Sequence, residues 1–507
     1  MRTATKRRIV TLTILFVVST ALVVSVLTLM RHEDLLAIAS RSSDTITMDI
    51  VYCDEGKTLT VHQTVHFTNR TEEAKNEVKF HIFANAYREG ASFPPIAPHE
   101  MSKAFPNGRS FGHIDISAVS INASPAPFEI GGEDETVLII PLPLPLQANQ
   151  SVLLTMDYVV QLANIAHRLG WTERVVNLGN FYPIPVIKQN GEWMSSSYSY
   201  NGDPFFNQLH NFRVTFTKPR DFIMASSGMI MRESDTTTNG QKTRTTLTHS
   251  YAIRDWAAVL SPHFQISQRI YNRVAVSYFY LDDENPVRSL ETSVRSLQTF
   301  SRLFVRYPYR QLTVVQTDFL HGGMEYGEIV WISTSITDRF EIDRVIIHEI
   351  AHQWWYGIIG NDQVRHAWID EGLAEYSTLL FFDENPGWLD MPRLEYINAF
   401  RTNFATFLSV VHGIGGTVNM NMNRPLNEFQ NQLEYVYLAY VRSMLLFADL
   451  ESLIGRDTMV RGLRRLAIDY KFAIVTPDSL INVFEYASNM RLGLFFHAYT
   501  TGFVQGG

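Results

Sequence analysis

His348-Glu349-Ile350-Ala351-His352, followed by Glu371 after eighteen intervening residues, constrains this chain more than any other stretch of it. On a helix, positions i and i+4 share a face, so the imidazoles of His348 and His352 converge on one point while Glu349 points into the adjoining space. Asp343 to Trp355 reads as a largely buried helix, with an acidic residue in its first turn and Gly357 just past its end. Ala367 to Tyr376 reads as a second helix that carries Glu371 in its first turns. Two neutral nitrogens and one carboxylate around a tetrahedral ion leave a fourth position open for water. That is the His₂Glu set of catalytic rather than structural zinc, one ion per chain, with Glu349 free to act as a general base. A bare His-Glu-x-x-His string arises by chance in long chains, but the helical setting and the third donor together favour a metal site.

The rest of the chain narrows the class. With 507 residues, of which 46% are hydrophobic and 19% charged, it can bury two or more sizeable cores. A net charge of -8 and the absence of a Lys/Arg stripe interleaved with aromatics argue against nucleic acid as a partner. Cys53 is the sole cysteine, so there is no intramolecular disulfide, cysteine-ligated metal or Cys-x-x-Cys redox site.

At the N-terminus, Arg2, Lys6, Arg7 and Arg8 precede an uncharged run from Ile9 to Met30. At 1.5 Å per residue such a run spans about 33 Å, enough for a bilayer core of roughly 30 Å. It reads as an uncleaved transmembrane signal anchor, with Ala37-Ile38-Ala39 as the alternative cleavage site. The basic flank places residues 1–8 in the cytoplasm and the body outside, as in a bacterial cell-membrane protein. The lipid bilayer is thus an expected partner through residues 9–30, and 31–44 is a linker.

From Thr45 to Ile266, short runs such as Thr58 to Phe67 and Phe212 to Thr217 alternate polar and apolar residues, which predicts one antiparallel β domain over 45–266. Pro141, Pro143 and Pro145 suit an edge or a loop. From 267 to 507 the texture changes. Val274–Leu281, Leu312–Thr317 and Ile329–Ser333 read as strands, Asn285–Val305 as a helix, and the remainder as mostly helical. The fold class is α+β and multidomain: an N-terminal antiparallel β domain, then a mixed α/β domain running into helices, all preceded by one transmembrane helix. Gly413, Gly415 and Gly416 lack the setting of a phosphate loop and read as a turn.

The spacing between His352 and Glu371, with Gly322-Gly323-Met324-Glu325 upstream, resembles the aminopeptidase N-like gluzincin family, which also contains leukotriene hydrolase. That family's usual signature is Gly-x-Met-Glu-Asn, and here Tyr326 holds the last position. Tyr307-Pro308-Tyr309 and Trp368-Ile369-Asp370-Glu371-Gly372 also look like family segments. The resemblance is strong over about 300–380 and diffuse over the β domain. It implies a thermolysin-like α/β zinc metallopeptidase domain at 267–507 and peptides with a free N-terminus as partners. Glu325 would hold the substrate's α-amine, and Gly322, Gly323 and Met324 would lie along its backbone. The family's oxyanion-stabilising tyrosine is matched by Tyr440, through the following Leu445-Leu446-Phe447, with Tyr435 and Tyr437 as rivals. Arg442-Ser443 replaces the usual Lys-Gly. Two departures from the family stand out. No Pro-x-Phe-Asp-Glu-Pro segment occurs, so amine binding would rest on Glu325 alone. The chain also stops soon after the catalytic domain, which predicts a more open cleft that admits longer peptides.

Together these readings predict a membrane-anchored zinc aminopeptidase in which Glu349 takes a proton from zinc-bound water and passes it to the leaving amine. Glu375, one turn beyond Glu371, either orients a ligand histidine or is a surface carboxylate. The alternatives are a zinc endopeptidase with an open cleft, a membrane-anchored binding or sensor protein without turnover, and leukotriene-type epoxide hydrolysis.

Overall fold

The computed structural model describes residues 39–502, apart from 42, 239 and 389. The expected basic tail 1–8, the spanning segment 9–30 and the first part of the linker lie outside the described residues. No helix among the described residues is long and apolar enough to cross a membrane.

The period-two stretches pair as strands because each presents one apolar face. Thr58–Thr68 turns Leu59, Val61, Gln63, Val65 and Phe67 inward and its other residues outward. Gln63 is tolerated inside because its amide donates to Pro183 O and its oxygen accepts from the Tyr158 hydroxyl, at 2.9 and 2.7 Å. These strands build an eight-stranded sheet in the order Met229–Thr238, Gln241–Ile253, His210–Pro219, Asp44–Cys53, Thr58–Thr68, Ser151–Gln161, His113–Ile121, Ser124–Pro125. It corrects the all-antiparallel expectation at one place: Asp44–Cys53 runs parallel to His210–Pro219, with Ile46 opposite Phe212. A parallel pair needs a long crossover, and the chain between 53 and 210 supplies it. The proline-rich run, expected at an edge or in a loop, lies in the strand Val137–Leu146. Its prolines lie beyond the reach of the short neighbour Glu129–Gly131, which pairs only with Val137 to Ile139. An open edge there tolerates the missing N–H groups.

A second, five-stranded sheet begins at Gln265, in the order Gln265–Tyr271, Val274–Tyr280, Gln311–Thr317, Ile329–Ser333, Gly323–Met324. Its last member is a two-residue edge strand antiparallel to Ile329–Ser333, with Met324 opposite Trp331. The helices Pro286–Leu303 and Arg339–Ala351 pack with Trp368–Glu384, and the chain continues through Arg393–Gly413, Gln432–Val436 and further helices to Thr501. The helix expected over Asp343–Trp355 is displaced by about a turn. Asp338 caps it early by accepting from Glu341 N–H at 3.0 Å, and the chain leaves helical geometry after His352. The apolar residues of the β and α/β parts merge into one continuous core. The His-Glu-x-x-His motif therefore sits on elements buried from both sides.

Candidate active site

His348 and His352 project from the last turn and the C-cap of Arg339–Ala351, and Glu371 from the first turn of Trp368–Glu384. Their Nε2 atoms are 3.0 Å apart, and Glu371 Oε2 is 3.3 Å from the first and 3.2 Å from the second. A tetrahedral zinc with bonds of 2.0–2.1 Å spaces its ligand atoms about 3.3 Å apart, so the donor set fits that ion. The opposite ring nitrogens each face an oxygen. His352 Nδ1 donates to Trp355 O at 2.9 Å, and His348 Nδ1 lies 3.3 Å from Glu375 Oε1, which also meets Arg344 Nη1 at 3.2 Å. Of the two readings of Glu375, the surface carboxylate is excluded, because it is buried against His348.

Glu349 lies beside this set without ligating it, and its Oε2 is buried with no protein partner. Burial lifts its carboxyl to about 7, against the pull of His348 and His352. Gly323 passes so close that a β-carbon there would lie 2.2 Å from Glu349 Oε1. Glu325 is buried, with Oε1 accepting from Gln363 Nε2 at 2.9 Å, and its carboxylate joins Glu349 and His352 in a group whose donor atoms all lie within 4.8 Å. Burial, reinforced by nearby Asp203, pushes Glu325 well above the usual carboxylate range. Such a group is relieved by an arriving cation. Met324 points away beneath the strand, where Arg168 Nε reaches its sulfur at 3.2 Å. Tyr326, at the position where the family signature has Asn, is a core ring packed edge-on against Trp331.

Tyr440 belongs to a π-helical turn, Tyr437–Arg442, inserted between Gln432–Val436 and Ser443–Ile454. Its ring lies 5.8 Å from that of His348, nearly parallel, and its hydroxyl donates to Glu371 Oε1 at 2.5 Å. The rivals are placed otherwise. Tyr437 stacks on Phe407 at 4.3 Å, and the Tyr435 hydroxyl is buried without a partner beside Gly202.

His348, Glu349, His352, Glu371, Glu325 and Tyr440 face one cleft of about 620 Å³. The β domain contributes part of the wall, including Asp203, which is paired with Arg168 at 2.5 Å and stands near Glu325. The sequence carried no signal for them, since Asn201-Gly202-Asp203-Pro204 has the composition of a turn. Gln363 was equally silent, an amide in a short helical segment that acquires meaning only through Glu325. The cleft has a direction. Along Arg339–Ala351, Gly322 lies over Val345, Gly323 over Glu349, and Glu325 near His352, so the edge strand runs alongside the helix.

Residues 288–499 match the model of the peptidase family M1 domain. Among curated relatives, the chain is 23% identical over 348 residues to membrane alanyl aminopeptidase of Manduca sexta, covering 62% of this chain and 34% of that protein. It is 23% identical over 313 residues to aminopeptidase N of Rattus norvegicus, covering 57% and 30%. It is 23% identical over 209 residues to endoplasmic reticulum aminopeptidase 2 of Homo sapiens, covering 38% and 20%. These matches thus span a fifth to a third of the relatives' length. A crystal structure of an M1 zinc metallopeptidase from Deinococcus radiodurans superposes with a TM-score of 0.62 at 16% identity, over 91% of this chain and 94% of that one, which shows a shared fold.

Proposed function

The chain belongs to the aminopeptidase N-like gluzincin family of zinc metallopeptidases, and on that premise we propose that it is an aminopeptidase acting on peptides with a free amino terminus. The observation that carries this reading is the position of Glu325. It is a buried carboxylate within 4.8 Å of the base Glu349, one residue's length from where a peptide carbonyl would react. An ammonium group beside it, in a water-poor cleft, is held by a charge-assisted contact that a blocked N-terminus cannot make.

His348, His352 and Glu371 would hold zinc, which when bound polarises the scissile carbonyl and makes hydroxide available near neutral pH. Glu349 receives the proton of the attacking water and carries it to the leaving nitrogen, its orphan Oε2 being free to accept. The Tyr440 hydroxyl turns from Glu371 to donate to the developing oxyanion. The exposed edge of Gly323–Met324 offers backbone groups for the substrate to pair with as an added strand.

The test is hydrolysis of alanyl, leucyl and arginyl amides by the zinc-loaded chain, beside their N-acetylated forms and with a chelator. Chelator-sensitive cleavage of the free-amine substrates alone is expected. Equal cleavage of both forms would favour the endopeptidase, and none at all the non-catalytic reading. We also propose that residues 9–30 anchor the chain with its catalytic part outside the cytoplasm. Washing membranes with alkaline carbonate should leave the protein in the pellet, and its release would count against the anchor.

A further inference from the structure

A side-chain bridge crosses the cleft on the side away from Glu325. The amide of Gln432, the first residue of the helix Gln432–Val436, sits between Glu100 and His321, and the orientation that satisfies both neighbours has its N–H groups donating to both carboxylate oxygens of Glu100 at 3.0 and 3.1 Å. Its oxygen accepts from His321 Nδ1 at 3.2 Å. The three partners come from different parts of the molecule. Glu100 ends a short turn of the β domain, Pro98–Glu100; His321 immediately precedes the glycines of the edge strand; Gln432 opens the helix that leads to Tyr440. All three line the same cleft as the metal-binding set. Both ends of the bridge are held. The His321 ring packs edge-on against His167 and Phe319, each at 5.5 Å, and Asn431 caps the Gln432 helix by accepting from Glu434 N–H at 3.0 Å.

The direction of the edge strand says which part of a substrate meets this bridge. This step rests on the aminopeptidase reading. With the amine at Glu325 and the scissile carbonyl at the level of Gly323 and Glu349, the chain continues past Gly322 towards His321. An extended peptide advances about 3.3 Å per residue, so its third residue arrives at the bridge. We propose that the Glu100–Gln432–His321 bridge is a length gate that makes di- and tripeptides the preferred substrates. A longer peptide must break the Gln432 bonds and leave a half-buried Glu100 without its donors, a penalty expected to lower kcat/KM about tenfold. The open cleft expected from the sequence is therefore closed at its downstream end by this chain's own side chains.

The test is kcat/KM for alanine oligomers from two to six residues, with the zinc-loaded wild type, Gln432→Ala and Glu100→Gln. Wild type should fall about tenfold beyond the tripeptide, as set by the lost hydrogen bonds. Both variants should keep the dipeptide rate within about twofold and flatten the profile. A flat wild-type profile, or a steep one that neither variant changes, overturns the gate. The same series is measured as binding affinity in a Glu349→Gln background, where length dependence is read without turnover. There, equal affinity for free and N-acetylated trialanine would remove the amine anchor while leaving the length profile legible, so the two ideas fail separately.

Discussion

Gly323 has a chemical reason to lack a side chain. A β-carbon there would stand 2.2 Å from Glu349 Oε1 and 2.5 Å from its Cδ, so the Glu349 carboxylate occupies the space a side chain would take. Gly323→Ala should push the carboxylate off its post and lower kcat about 100-fold, the usual worth of a positioned general base, while zinc content by metal analysis stays at one per chain. Wild-type kcat would mean that Glu349 adapts or is not the base. Tyr440→Phe tests the other side of the reaction centre. Losing one oxyanion donor should lower kcat about 10²-fold to 10³-fold with little change in KM, because that bond forms only in the transition state. An unchanged kcat would pass the role to Tyr435, which also lines the cleft. At this scale the legible residues were those whose chemistry dictates spacing. The three candidate metal ligands and the proposed base sit on two helices with fixed periodicity. Asp203, Arg168 and Gln363 were not legible, because what they do depends on which distant backbone they fold against, and no local pattern encodes that.

Elements aim these residues, and one of them departs from regular geometry where aiming matters. The π turn Tyr437–Arg442 adds a residue to a helix, rotating Tyr440 onto Glu371 while Tyr437 faces Phe407. π-bulges are costly unless function or packing retains them, and neither the turn nor its phase was visible in a tyrosine-rich stretch. The metal helix shows a milder version of the same limit. Its start was encoded in Asp338, three residues ahead of Glu341, a capping pattern. Its end was not, since the chain stops being helical where His352 Nδ1 takes Trp355 O and Tyr356 adopts a φ of 114°. Tertiary demand on the histidine sets that boundary. The neighbouring helix adds support from behind: Glu375, one turn after Glu371, meets both His348 and Arg344. Glu375→Gln should keep the packing but weaken the charge that orients His348, lowering zinc affinity about 10-fold to 100-fold in competition with a chelator. Unaltered affinity would make the Arg344–Glu375 pair a packing feature alone.

At the scale of the whole molecule, the β domain is a structural part of the site because a buried dipeptide ties it to the catalytic half. Arg254 donates to Tyr356 O, Asn207 O and Ala473 O at 2.5, 2.8 and 3.0 Å, joining three separate segments. Asp255 accepts from Gly327 N–H at 2.9 Å, two residues from Glu325, and from the Tyr356 hydroxyl. Glu328 lies in the same seam, its N–H donating to Gln353 and its Oε2 buried without a partner. Burial raises its carboxyl from 4.5 to about 8. The folded chain therefore keeps this proton up to about pH 8, whereas the unfolded chain releases it near pH 4.5. Stability from this group is full below the lower value and is lost as pH rises through the upper one, by an amount on the order of a few kcal/mol. Glu328→Gln cannot ionise, so its unfolding free energy in urea should decline less than that of wild type between pH 5 and pH 8.5. A parallel decline in both proteins would mean that Glu328 ionises freely in the folded state. The seam beside Gly327 would then have to admit water.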